Sequence, residues 1–559
     1  MRTGFTARGW FFSLAVFLFI SGNAVAQSTG TVVSDNPLAT QAGMEILNAG
    51  GTAVDAAVAT AFALGVVDPS ASGLGGGGFM VIYQAKEKKA HALDFRETAP
   101  AASKREQYMK GGKPVASLSL TGPLAVAVPG EVVGLAEALK RFGTMPLPAV
   151  MAPAMRYATD GFAIQPRLRY ALERQLGNIR KSADFARVML VKNEIPADGE
   201  MLRQRELGAA LKAIAEQGPE VFYQGWIGQA IAERIKKEGG VLTLEDLKGY
   251  KPVWREPIVG RYRKWTVITM PPPSSGGVAL LQMLNTLEGH QLSLIGHDSP
   301  TYLHLVAEVM KYAFADRAQH LGDPDFAQVP VDKLISKDYA ASIRGRISSS
   351  KTYPAKHYGP GASPPEKGGT THFSIVDRFG NAVACSLTIN TQFGSKVFVP
   401  EAGIVLNNEM DDFAIHPGTP NTFGLVGGEA NSLQPRKRPL SSMAPTVILE
   451  GDQAALVVGA SGGPRIISAT LQTILNTLDF RMPIKQAVES PRIHHQWMPD
   501  ELVVEGKISE NSKKSLERLG HKVKERSSLG LVEAVSVQKS KVAGAADPRQ
   551  EEPALAERR

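Results

Sequence analysis

Around residue 370 the chain changes character, and the change limits what it can fold into. Residues 348–367 (SSSKTYPAKHYGPGASPPEK) are rich in Ser, Pro, Gly and Lys and have no apolar period, the composition of an exposed linker. Directly afterwards Thr371, Phe373 and Ile375 alternate with His372, Ser374 and Val376. Asp377-Arg378-Phe379-Gly380-Asn381 then makes a turn into a second run at 382–390. The pattern predicts a β-hairpin that starts at the threonine pair. The join itself reads Gly368-Gly369-Thr370-Thr371-His372. On this pattern Thr370 can be a plain strand former entering a hairpin. It can also be a residue freed at its own amino end, with hydroxyl nucleophile and amine base on one residue.

The amino end points to export. Arg2 and Arg8 precede an apolar run at 10–20, and Ala24-Val25-Ala26 supplies a small-x-small cleavage pattern before Gln27. The run is too short to span a bilayer comfortably, so residues 1–26 are expected to be a signal peptide. The mature protein is then expected to be periplasmic or secreted, without a membrane anchor. The formal charge of +8 becomes +6 without the two leader arginines. With 7% aromatic residues and no dense basic cluster, nucleic acid is not an expected partner. Cys385 is the only cysteine, so no internal disulfide can form, and its alternating strand makes it a small buried side chain.

Upstream, Asn36-Pro37 caps a helix that stops at Gly50-Gly51, and Thr52 starts an alanine-rich helix at 53–64. Such small residues suit the outer layer of a layered α/β domain. The glycine run at 75–78 leads into a strand and lacks a following Gly-Lys-Ser/Thr, so it reads as tight backbone packing and not as a phosphate loop. Helices are expected from 131 to 237 and from 299 to 320, where Leu303, Val306, Met310 and Phe314 form a core stripe.

Downstream, strands at 446–450 and 454–458 precede Gly459-Ala460-Ser461-Gly462-Gly463 and a helix at 464–478. That is a literal Gly-x-Ser-x-Gly between strand and helix, the setting of a nucleophile elbow. Glu489 followed by His494 or His495 has the order of a Ser461 triad, though crowded within a few residues. The same turn can instead serve as an oxyanion hole, since glycines before a helix present N–H groups at its positive end. Metal chemistry is not expected, because the adjacent His494 and His495 lack helical ligand spacing and read as loop residues. No cofactor motif is present.

Six segments in order carry a resemblance. They are Asp94-Phe95-Arg96-Glu97, Pro271-Pro272-Pro273-Ser274-Ser275-Gly276-Gly277 and Gly369-Thr370-Thr371-His372-Phe373-Ser374. The others are Leu406-Asn407-Asn408-Glu409-Met410-Asp411-Asp412-Phe413, Arg438-Pro439-Leu440-Ser441-Ser442-Met443 and Gly462-Gly463. Over nearly all of its mature length the chain resembles the γ-glutamyltransferase family (γ-glutamyl transpeptidase, glutathione hydrolase). The resemblance implies a four-layer αββα sandwich of the amino-terminal-nucleophile type, built from two subunits made by self-cleavage. The large subunit would be 27–369, ending in the flexible linker 348–369, and the small subunit 370–559. The two would form a heterodimer acting on a γ-glutamyl donor such as glutathione, with water or an amine as acceptor.

The resemblance also implies roles. Cleavage falls between Gly369 and Thr370, Thr370 is the nucleophile, and Thr388 hydrogen-bonds it. Arg96 matches the donor-carboxylate arginine, with Ser441 and Ser442 as further hydroxyl donors. Asn390, Glu409 and Asp412 match acceptors for the donor ammonium, and Gly462 with Gly463 the oxyanion hole. In the lid-like loop at 416–424, Phe423 stands where many bacterial relatives have tyrosine, which removes a tethering hydroxyl and bears on the balance of hydrolysis and transfer. Glu409 replaces a glutamine common in bacterial members. The alternatives are a cephalosporin (glutaryl) acylase of the same superfamily, a Ser461 hydrolase, or a non-enzymatic exported binding protein.

Overall fold

The computed structural model describes residues 1, 3, 4, 30–359, 369–415, 427–539 and 541–550. The leader segment, the end of the linker at 360–368 and the lid residue Phe423 lie outside the described residues.

Two antiparallel six-stranded sheets form the centre. The first runs Gly30–Ser34, Thr370–Asp377, Ala382–Thr388, Gly77–Gln84, Lys89–Phe95, Val253–Arg255 in spatial order. The second runs Lys541–Ala546, Leu531–Gln538, Gln453–Ser461, Thr446–Glu450, Trp265–Thr269, Ile258–Tyr262. Both sheets thus combine strands from before and after Gly369. Strand periodicity sorts the side chains of the first sheet onto two buried faces. Phe373, Ile375, Val383, Cys385, Met80 and Ile82 pack with the helices Pro37–Asn48 and Ala53–Val67. Phe79, Val81, Tyr83 and Ala384 pack toward the second sheet and its helices Gly276–Leu287, Pro300–His320 and Arg465–Leu478. The order of layers is helix, sheet, sheet, helix. Among the described residues no helix is long and apolar enough to cross a membrane.

Local chemistry explains the elements. Asn36 accepts the Leu38 N–H at 2.9 Å, and Thr52 and Asp55 form a capping box ahead of the alanine-rich helix. That helix is buried along its whole length, which its small side chains permit. The glycine run packs backbone on backbone: a Cβ on Gly76 would lie 2.3 Å from the Thr388 carbonyl oxygen. The helix Pro300–His320 departs from the expected stripe. It is buried all round from Tyr302 to Arg317, including Glu308, Lys311 and Arg317. Elements from the second half of the chain, among them the helix Glu510–Arg518 and the strand Ile493–His494, cover the face that a single stripe would have left in water.

Register then gathers the strand ends. Thr370 pairs with Thr388 and Thr388 with Gly77 at one end of the first sheet. The Gln453–Ser461 strand packs across them and stops at Ser461, just before the glycine pair.

Candidate active site

Thr370 is the first residue of its strand and is buried. Its Oγ1 lies 3.2 Å from Thr388 Oγ1. Thr388 donates to the Gly369 carbonyl at 3.0 Å and accepts the Asn390 N–H at 2.8 Å. A hydroxyl has one proton, so the bond to Gly369 leaves Thr388 as acceptor for the Thr370 proton. One side chain therefore polarises the carbonyl ahead of Thr370 and draws the proton from the Thr370 hydroxyl. Gly369 is confined as well: a Cβ there would sit 2.8 Å from the Gln392 nitrogen. Asn390 takes a left-handed φ of 74°, which asparagine tolerates, and its Nδ2 donates to the Asn408 carbonyl at 2.9 Å.

The charged groups form a second cluster. Arg96 is buried between acids: Nη1 donates to Glu409, Nη2 lies 2.5 Å from Asp412, and Glu97 lies 3.6 Å away. Burial works against the Arg96 charge, but Glu409, Asp412 and Glu97 together outweigh it and raise its pKa. Burial pushes Glu97 up to about 8 and Glu409 well above the usual carboxylate range. Arg317 is a further buried guanidinium, and it donates to hydroxyls: Ser275 at 2.9 Å and Ser442 at 3.3 Å. Burial, partly offset by Asp412, lowers its pKa to about 10, so it stays charged at neutral pH.

A narrow cleft joins the two clusters. Thr370, Thr388, Asn390, Arg96, Asp412, Ser441, Ser442 and Gly463 line it, together with Arg317. Glu409 stands behind Arg96, and Gly462 precedes the lining residue. Gly462 and Gly463 take φ of 123° and 61° ahead of the helix Arg465–Leu478, a turn that demands glycine. The motif segments support one another. Ser275 donates to the Ser441 carbonyl through both N–H and Oγ, and Asp94 holds Arg255 at 2.7 Å with Arg438 at 3.4 Å. Asn407 ties Glu409 to the glycine run by accepting the Glu409 N–H at 3.0 Å and donating to the Gly75 carbonyl at 2.8 Å.

The elbow reading of Ser461 does not hold. Ser461 is the last residue of a central strand, paired with Leu531 and 2% exposed, and the turn itself consists of the glycines. Its supposed partners are engaged elsewhere. His494 bonds Ser468 at 2.8 Å and Gln496 at 3.0 Å, while His495 accepts the Trp497 N–H and faces Asp500. Both histidines are buried; His494 ends the short strand Ile493–His494 and so is not a loop residue, while His495 follows it in the loop as expected. Cys385 is buried in its strand as expected. Among the described residues His304, Glu308 and His521 bring ligand atoms together. That set fits a metal poorly: Thr352 and Tyr358 occupy the Glu308 oxygens, and the Lys311 ammonium stands 3.5 Å away.

Arg317 escaped sequence reasoning because it lies on a helix whose apolar residues suggested core alone. Its place one turn beyond Phe314, on the same helix face, was the available signal.

A model of the gamma-glutamyltranspeptidase family matches residues 39–556. The glutathione hydrolase proenzyme of Escherichia coli (strain K12) is 44% identical over 529 residues, covering 94% of this chain and 91% of that protein. The acylase ACY 1 proenzyme of Pseudomonas sp. (strain SE83) is 39% identical over 503 residues, covering 89% and 87%. The crystal structure of the cephalosporin acylase from Bacillus halodurans superposes with a TM-score of 0.81 at 29% identity, covering 98% of each chain.

Proposed function

The chain belongs to the gamma-glutamyltranspeptidase family, and from that membership we infer a γ-glutamyl hydrolase and transferase that acts on glutathione and related donors through Thr370. The observation that carries the reading is the cleft that Thr370 shares with the buried Arg96 and Arg317 guanidiniums and the half-buried Asp412 carboxylate. A γ-glutamyl donor presents an amide at one end and a zwitterion at the other, and the cleft offers a nucleophile and a charged cluster at corresponding ends.

Maturation comes first. The Thr370 hydroxyl attacks the Gly369 carbonyl, passing its proton through Thr388 to the departing amide nitrogen. The resulting ester is cleaved by water, giving 27–369 and 370–559. The freed α-amine then serves as base for the same hydroxyl in each turnover. Attack on the donor amide forms a tetrahedral oxyanion, which N–H groups of the Gly462-Gly463 turn stabilise at the helix amino end. Collapse expels the amine and leaves a γ-glutamyl ester on Thr370. Water or an acceptor amine resolves it.

The donor ammonium goes to Asp412 and Asn390 in the cleft wall, with Glu409 acting from behind Arg96. Its carboxylate goes to Arg96 with Ser441 and Ser442, and Arg317 adds a second guanidinium on that side. Arg96 already holds Glu409 and Asp412, so its charge is shared between orienting those acids and receiving the substrate. An acylase for glutaryl side chains has no ammonium to satisfy, and this acid set favours the γ-glutamyl reading. Export through the leader 1–26 completes the proposal.

Denaturing gels with amino-terminal sequencing test it. The active protein should run as two chains, the smaller beginning Thr-Thr-His-Phe. Thr370→Ala should remain one inactive chain, while Ser461→Ala should process and turn over. A γ-glutamyl anilide should be a far better substrate than its glutaryl counterpart, and the reverse order would favour the acylase.

A further inference from the structure

Arg167 enters from the start of the helix Pro166–Ile179 and uses three edges of its guanidinium. Nη1 lies 2.5 Å from Asp35 and Nε 3.0 Å from Asp68, while Nη2 donates to the Thr370 carbonyl at 3.1 Å. Asp35 also accepts the Thr371 hydroxyl, and Asp68 accepts from Ser70 at 2.5 Å. Both aspartates are buried, so this is a built cluster and not a surface pair.

Its place in the sheet gives it a task. The strand Gly30–Ser34 follows the Thr370 strand only as far as the Ser34–Phe373 pair. On that side, among the described residues, the first residues of the Thr370 strand lack a strand partner. On the other side Gly369 donates its N–H to the Asn390 carbonyl at 2.8 Å. Successive residues of a strand face opposite neighbours, so the Thr370 carbonyl is turned to the open side, where Arg167 takes it. Without Arg167 that carbonyl would lack its recorded partner in a largely buried setting. Cleavage removes the covalent tether on the amino side of Thr370, and the strand end is then held only by such contacts.

We propose that Arg167, braced by Asp35 and Asp68, is a positioning residue of the nucleophile, keeping the cleaved strand end in register so that Thr370 Oγ1 stays aimed at the acyl carbon. The proposal rests on the reading of Thr370 as nucleophile. It makes the large chain a direct holder of the small chain's first residue.

The test uses mature Arg167→Gln, Arg167→Ala and Asp68→Asn proteins with a γ-glutamyl anilide. Cleavage should still occur before Thr370. In the two Arg167 variants kcat should fall by about tenfold or more, since small misplacements of reacting groups cost that much. KM should stay within about twofold, because no donor contact is lost. Asp68→Asn, which loosens the brace and spares Arg167, should lower kcat in the same direction. Guanidinium ion should restore part of the kcat of Arg167→Ala and leave the parent unchanged, an effect a merely structural role would not produce. Parent-like kcat per active site in Asp68→Asn and Arg167→Gln, or loss of kcat without guanidinium rescue, would overturn the proposal. Failure of the nucleophile reading looks different: the small chain would not begin at Thr370, and Thr370→Ala would stay active whatever the Arg167 variants do.

Discussion

Replacing Thr388 by valine tests the chemistry of maturation most directly. Valine keeps the branched shape of threonine in the strand but removes the hydroxyl, and with it three contacts. The bonds to Thr370 Oγ1 (3.2 Å), the Gly369 carbonyl (3.0 Å) and the Asn390 N–H (2.8 Å) all disappear. Their losses act on different quantities. The orphaned, buried Asn390 N–H should lower folding stability by about 1–3 kcal/mol. The other two contacts strengthen as Gly369 becomes tetrahedral and the Thr370 proton departs, so they bear on the barrier. Loss of a donor at a developing oxyanion costs about 3–4 kcal/mol when its hydrogen bond is well aligned. The 3.0 Å contact here is made to the planar carbonyl, so about 2–3 kcal/mol is the more reasonable expectation. That corresponds to processing about 30- to 150-fold slower at 25 °C. A denaturing-gel time course of freshly purified precursor measures the rate, with a thermal melt reporting the stability loss separately. Thr388→Ser, which keeps the hydroxyl, should process much closer to the parent. If Thr388→Val matures at the parent rate while melting at lower temperature, the hydroxyl is structural and the proton path through it is wrong.

Three further outcomes are expected. Arg317→Gln should still mature but lose about 1.5–3 kcal/mol of donor recognition, the value of a hydrogen bond to a charged group, seen mainly as a raised KM for γ-glutamyl anilides; an unchanged KM would remove Arg317 from the site. Gly459→Ala should lower stability by about 1–3 kcal/mol through overpacking. The new Cβ would lie 2.3 Å from the His372 ring, which Ser386 holds at 2.8 Å, and a parent-like melting temperature would mean that ring moves freely. Burial lowers the His494 pKa to about 3, below the about 6.5 of an unfolded histidine. As pH falls the unfolded chain takes up the proton first, so this contribution is present above about 6.5 and lost progressively toward about 3. At about pH 5 the loss is about 2 kcal/mol, and His494→Asn should show that much less acid destabilisation in denaturant melts. Equal acid slopes in the two proteins would contradict the shift.

Sequence alone determined the local grammar of this protein. The hairpin starting at Thr370, the capped helix pair after Asn36 and the strand-turn-helix around Gly462-Gly463 follow from periodicity and turn chemistry, which act over a few residues and survive in almost any context. The motif segments also named most of the residues that line the cleft. Tertiary structure decided which of these meanings applied. Ser461 looked like a nucleophile because local spacing cannot report burial, and only the pairing with the Leu531–Gln538 strand encloses it. Arg96 read as an open carboxylate receptor, yet its guanidinium is shared among acids more than 300 residues away in the chain. Arg317 and Arg167 carried no motif at all. Each acquires its setting from partners on other elements, Ser275 and Ser442 for one, Asp35, Asp68 and the Thr370 carbonyl for the other. Electrostatic roles depend on distance and desolvation, and both are set when distant segments pack together.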